Sequence, residues 1–202
     1  MSDGRFPILA DENLSGQRPA LLARLRAAAT EACNSSFDVV FDAGMRALLL
    51  TGFRLVGADE GTIWLIDSSN EVLIPRFNSG PHAEGFVGVH RQLLSKGMIS
   101  MVVATEQPIC ENEVYKNARQ DKAVDQKLGL RTCAMIAVPL VFSGELRGVI
   151  SCVQVRPGNS QDPDPPGFTH EHLVQIQLAS NLVGRLLEAR LLSHCLGFTS
   201  IS

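Results

Sequence analysis

Cysteine, histidine and carboxylate side chains carry most of the nucleophilic, metal-binding and acid–base chemistry open to a protein, and here they are scattered. The five cysteines, Cys33, Cys110, Cys133, Cys152 and Cys195, form an odd set without a CxxC. That pattern argues against a disulfide framework and points to a reducing compartment, so a cytoplasmic location is expected. Cys110 alone lies on a segment that reads as an exposed edge strand, and its neighbours Glu111 and Glu113 would raise the thiol pKa and suppress the thiolate. Of His82, His90, His170, His172 and His194, only His170 and His172 are close, and an i, i+2 pair points its rings to different sides of a helix. No phosphate-binding GxxxxGK[ST] loop, GxSxG elbow or HExxH helix occurs. No catalytic residue, metal or cofactor is therefore expected, and the chain reads as a non-enzyme.

The 202 residues suit one domain with decoration. With 45% hydrophobic and 19% charged residues the chain is globular rather than disordered. Eighteen Lys+Arg against 21 Asp+Glu give a formal charge of −3 without a basic block, which argues against nucleic acid or an anionic membrane as partner. The longest uncharged run, Thr132 to Gly144, has 13 residues, short of the roughly 20 that span a bilayer. The opening MSDGRFP lacks the pattern of a secretory signal.

Residues 1–18 hold no periodic pattern and read as a loose leader. Pro19 then opens a helix with Leu21, Leu25, Ala28 and Ala32 on one stripe. Asn34-Ser35-Ser36 interrupts it and offers a cap for a second helix from Phe37 to about Val56, stopped at Gly57. Thr62 to Ile66 and Val72 to Phe77 read as a hairpin around Asp67-Ser-Ser-Asn70. Lys96 to Thr105 reads as a helix, Pro108 to Val114 as an edge strand, and Asp121 to Leu128 as a helix ended by Gly129. Thr132 to Phe142 and Leu146 to Val155 flank Ser143-Gly144; with Phe142 opposite Glu145, Ile136 would face Ser151 and Met135 would face Cys152. This order predicts an α+β domain with helices on an antiparallel sheet. The long last helix from Thr169 is apolar over far more than the arc of about 100° that one sheet can cover. The excess faces either the N-terminal helices or a second copy of the chain.

In order and spacing these segments resemble a GAF domain, the ligand-sensing module of phosphodiesterases, phytochromes, histidine kinases and bacterial regulators. The resemblance rests on Leu55-Val-Gly-Ala-Asp59, Thr62 to Asp67, Gly97 to Pro108, Ala137-Val-Pro-Leu140, Arg147-Gly-Val-Ile150 and Phe168-Thr-His-Glu-His-Leu leading to Leu187-Glu-Ala-Arg190. It implies a leader and extra helix over 1–36, the GAF domain over 37–193 and a tail over 194–202. It further implies a six-stranded antiparallel sheet, terminal helices on one face, and a small-molecule pocket on the other. The family's pocket positions fall on Thr62, Phe77, Asn78, Met98, Ile99, Asp125, Leu128, Thr132 and Ser151, with Trp64 as an added apolar wall. By strand parity, Thr62 and Trp64 share that side, as do Thr132, Ala134 and Ile136 opposite Ser151 and Val153. Cys133, Met135 and Cys152 would face the helices, where Cys133 and Cys152 would be diagonal neighbours.

Within the resemblance, Asp125 would accept hydrogen bonds from a ligand, or else stand solvated beside Lys122, Lys127 or Arg131. The Asn-Lys-Phe-Asp-Glu signature of the family's cyclic-nucleotide binders reads here Gln154-Val155, Phe168 and His172-Leu173. Four of five places depart, which argues against a cyclic nucleotide. No Cys-His dipeptide is present for bilin attachment. The resemblance thus implies a non-enzymatic regulatory domain that binds an unidentified small molecule and signals as a homodimer through its terminal helices. Its alternatives are a ligand-free interaction module and, further off, a GAF-type free methionine sulfoxide reductase using Cys110.

Overall fold

The computed structural model describes residues 15–198, so most of the expected leader lies outside the described residues. Helix α1 (Arg18–Glu31) carries its proline in the first turn, where the missing N–H has no partner to lose. It runs into a wider turn over Ala32–Ser36 and then α2 (Phe37–Val40). The serines cap nothing. The chain breaks at Phe41, and Asp42 starts α3 (Ala43–Leu55) by accepting the Met45 N–H at 3.0 Å. The expected single helix from Phe37 is therefore two, because a carboxylate at Asp42 offers a better N-cap.

Six strands follow: β1 (Glu60–Ile66), β2 (Val72–Asn78), β3 (Gln92–Leu93), β4 (Ile109–Glu111), β5 (Leu130–Phe142) and β6 (Glu145–Pro157). They form one antiparallel sheet in the order β3-β2-β1-β6-β5-β4. Helices α4 (Met98–Thr105) and α5 (Ala123–Leu128) lie between strands, and α6 (His170–Cys195) closes the domain. Helix α6 packs on β5 between α1 and α3. At Gly184 a Cβ would stand 2.2 Å from the Val141 carbonyl oxygen, so only glycine permits this approach.

The β5–β6 hairpin turns at Ser143 and Gly144, both with positive φ, as a two-residue turn matched to strand twist requires. Phe142 pairs Glu145 as expected, but the register then slips, and Ile136 faces Cys152 while Ala137 faces Ser151. Arg147 is an extra residue in β6, and Cys133 is an extra residue in β5 that restores the original pairing at Thr132 and Val155. The two bulges correct the expected parity. Ala134 and Ile136 pack in the helix-side core, whereas Met135 joins the apolar cluster on the other face. Cys152 faces the helices as expected, but bulged Cys133 turns its thiol to the Arg131 carbonyl and the Asp164 carboxylate, at 3.6 and 3.7 Å.

The helix-side core is continuous, with Phe41, Leu49, Ile63, Leu65, Ile136, Leu140, Ile150, Ile176 and Leu187 fully buried. Two polar residues enter it, each hydrogen-bonded: Ser180 donates to the Pro139 carbonyl at 2.7 Å, and Gln154 bridges two backbone segments. Gln154 donates to the Gly57 carbonyl at 3.0 Å and accepts from the Gly167 N–H at 2.9 Å, tying the exit of α3 to the approach to α6. Asn112 clamps the adjoining Phe168 backbone by donating to its carbonyl at 3.0 Å and accepting from its N–H at 2.7 Å.

Candidate functional site

On the opposite face the sheet is roofed by the helical turns of 82–89, by α4, and by the segment from Gln120 through α5. Between roof and sheet lies a cavity of about 90 Å³. Alternation along β1 delivers Glu60, Thr62 and Trp64 to it, and β6 delivers Ser151, Val153 and Val155. Asn78, Thr132 and Met135 complete the floor; Met98, Ile99, Leu128 and Phe86 supply apolar walls.

Nine of the ten positions singled out from the sequence line this cavity: Thr62, Trp64, Asn78, Met98, Ile99, Asp125, Leu128, Thr132 and Ser151. Phe77 does not. Thr62 pairs Asn78 and Ile63 pairs Phe77, so the two adjacent residues of β2 face opposite sides of the sheet. Phe77 sits in the helix-side core, edge-on to Phe41 with ring centroids 5.3 Å apart.

The polar groups on the floor are paired with one another. The Trp64 indole N–H donates to Ser151 Oγ at 2.9 Å, leaving the serine its own proton to give. Asn78 donates to Thr62 Oγ1 at 2.9 Å. Asp125 accepts from Thr132 twice, from the hydroxyl at 2.6 Å and the backbone N–H at 2.9 Å, and from the Gln120 amide at 2.8 Å. Its carboxylate, on a half-buried side chain, is thus engaged by Thr132 and Gln120 rather than by Lys122, Lys127 or Arg131. It fastens the α5 roof to the start of β5.

Sequence reasoning missed Glu60, His82, Phe86, Gln120 and Met135. Glu60 could have been found, because it shares the parity of Thr62 and Trp64. No hydrogen bond engages its carboxylate among the described residues. Burial holds the Glu60 pKa above the ordinary carboxylate value, with Asp59 and Asp125 adding to the rise and His82 opposing it. Gly80 makes room for this side chain, since a Cβ there would lie 1.7 Å from Glu60 Oε2. Phe86 meets Trp64 edge to face at 5.4 Å, and His90 stacks on Phe86 at 5.3 Å, where burial depresses the imidazole pKa.

Cys110 lies on an edge strand as expected, but on the side of the sheet away from the roof. It pairs with Ile136, which pairs with Cys152, and its thiol turns to the Phe168 carbonyl at 3.7 Å. Burial and the Glu111 charge raise its pKa. No cysteine lines the cavity.

Comparison with known proteins agrees with this architecture. The chain is 30% identical over 121 residues, 55% of its length, to the probable 3',5'-cyclic phosphodiesterase pde-5 of Caenorhabditis elegans, of which it spans 17%. A GAF domain of a Coxiella burnetii phosphoenolpyruvate-protein phosphotransferase superposes with a TM-score of 0.58 at 20% identity, covering 89% of this chain and 97% of that one. A type II free methionine-R-sulfoxide reductase from Thermoplasma acidophilum gives 0.53 at 15% identity, covering 75% of this chain and 96% of that one. Both structural likenesses concern the fold alone. No helix among the described residues is long and apolar enough to cross a membrane. The family profile of the GAF domain matches residues 34–188, and the chain belongs to that family.

Proposed function

We propose that this chain is a non-enzymatic, cytoplasmic GAF domain that binds a small molecule between sheet and roof and passes the event to a homodimer of its terminal helices. The observation that carries the reading is the two-sided sheet: apolar walls with a few convergent polar groups on one face, a close-packed helical layer on the other. Ligand would tighten the roof held by Asp125 and Thr132, and coupling requires that it bind two helical arrangements unequally. The dimer is supported by Val174, Leu178, Leu182 and Leu186, spaced four apart on α6 and all exposed, while Ile176, Val183, Leu187 and Leu191 face the core.

The cavity size bears on the ligand. At about 90 Å³ it is smaller than a cavity of about 150 Å³ that accepts benzene, so a nucleotide would require the roof to move. The same smallness, with Met98, Ile99, Leu128 and Met135 reaching in, favours as second reading a module whose pocket is filled by its own side chains. A thermal-shift screen of amino acids, amines, 2-oxoacids and nucleotides separates the two. Saturation at a hundredfold over Kd stabilises by about 2.7 kcal/mol, and Ser151→Ala should reduce that gain. If no compound raises Tm, the self-filled module stands. The reductase reading predicts NADPH-coupled turnover of free methionine sulfoxide that Cys110→Ser abolishes; the turned-away thiol supports its absence.

A further inference from the structure

The charges and unmatched acceptors around the cavity narrow the ligand class. Among the described residues three carboxylates line it, Glu60, Asp121 and Asp125, against one imidazole, His82, and no lysine or arginine. Asp121 is answered by Lys96 at 3.1 Å and Asp125 by three neutral donors, which leaves Glu60 without a hydrogen-bond partner among the described residues. A second acceptor is also unmatched. Because a carboxylate can only accept, the Gln120 Nε2 must be the atom on Asp125, and the buried Gln120 Oε1 then has no donor. The apolar share of the wall is largely aliphatic, from residues such as Ile99, Leu128 and the two methionines, with the rings of Trp64 and Phe86 beside them; the aliphatic surface suits an alkyl body and the aromatic rings favour a cation. No cluster of three metal-ligating side chains occurs among the described residues, so the geometry suits an organic rather than a metallic cation.

We infer that the cavity binds a small organic cation, an ammonium or amidinium group on an apolar body, received by Glu60 and Gln120 with Trp64 and Phe86 as walls. The inference rests on the receptor reading above and specifies its ligand. An anion, whether a phosphate or a carboxylate, would meet Glu60 and Asp125 with only the His82 imidazole, and no lysine or arginine among the described lining residues, to answer it.

The chain's single tryptophan supplies the readout, since the Trp64 indole N–H lies in the cavity wall on Ser151. The full ¹⁵N-labelled chain is titrated at constant ionic strength with isobutylammonium, isobutanol and isobutyrate, three branched-alkyl probes that differ in charge. Isobutylammonium should shift the indole resonance with a Kd at least about tenfold below that of isobutanol, and isobutyrate should bind weakest. Glu60→Gln should raise the ammonium Kd about tenfold while leaving that of isobutanol within about twofold. Gly80→Ala, which displaces the Glu60 carboxylate without removing its charge, should also weaken the ammonium complex. Equal or tighter binding of isobutanol or isobutyrate, or an unchanged ammonium Kd in folded Glu60→Gln, overturns the cation assignment and leaves the receptor reading intact. An indole that none of the three probes moves overturns the assignment as well. If the wider compound screen also leaves it unmoved, the receptor reading falls too.

Discussion

The two faces of this sheet use similar residues to opposite ends. Toward the helices, Ile63, Leu65, Ile136, Leu140 and Ile150 meet Leu49, Ile176 and Leu187 with no solvent access. Toward the roof, Trp64, Ala137 and Val149 begin a similar core with Leu73, Phe86, Ile99 and Val102, but Thr62, Thr132 and Ser151 interrupt it. A core that must only be stable can be filled to crystal density. The roof-side face gives up part of that density for polar groups held in place by one another.

The largest expected effect tests the dense face. Leu187→Ala should cost about 3 kcal/mol in urea unfolding, because α6 is pinned by Gly184 against β5 and cannot settle into the space left. Asp125→Ala should cost less, about 2 kcal/mol, since it strands three donors. Its damage should also be local: hydrogen exchange would quicken over 120–131 while the protection of β6 stays, and a uniform loss across the sheet would dissolve the contrast between the faces. The third effect is alkaline. Burial pushes the Cys152 thiol up to about 12 from an ordinary 9.0, so the folded chain holds a proton that the unfolded chain releases. Stability from this group is complete below pH 9 and declines as pH rises toward 12, by about 1 kcal/mol at pH 10. Cys152→Ala should flatten that decline in denaturant midpoints measured between pH 8 and 10. Leu178→Glu with Leu182→Glu should change stability least, below about 0.5 kcal/mol, because both side chains are already exposed. Light scattering should nonetheless fall from twice the chain mass to once; an unchanged mass would place any dimer elsewhere.

How far the sequence could be read depended on whether a residue's orientation follows from its neighbours alone. The β5–β6 hairpin was legible because Ser143-Gly144 fixes a two-residue turn, and Thr62 and Trp64 were legible because β1 alternates through them. Met135 and Ile136 were assigned to the wrong faces because Arg147 adds a residue to β6, and nothing in its local chemistry announces a bulge. Phe77 failed for a different reason. The family resemblance puts it at the pocket, although its neighbour Asn78 occupies the cavity side of β2 and strand alternation turns Phe77 the other way. Glu60 shows the converse, since parity pointed to it and the family positions did not. Asp125 was placed correctly at the cavity, but its engagement with Thr132 depends on how α5 docks, which no local pattern encodes.

Gln154 stands between Val153 and Val155, which border the cavity, while its own amide grips Gly57 on one side and Gly167 on the other. A tilt of the strand imposed from the cavity side would move one amide group, and that group would pull at once on the tail of one helix and the head of another. Two remote parts of the helical layer would then respond in step, with no need for a relay through the packed interior.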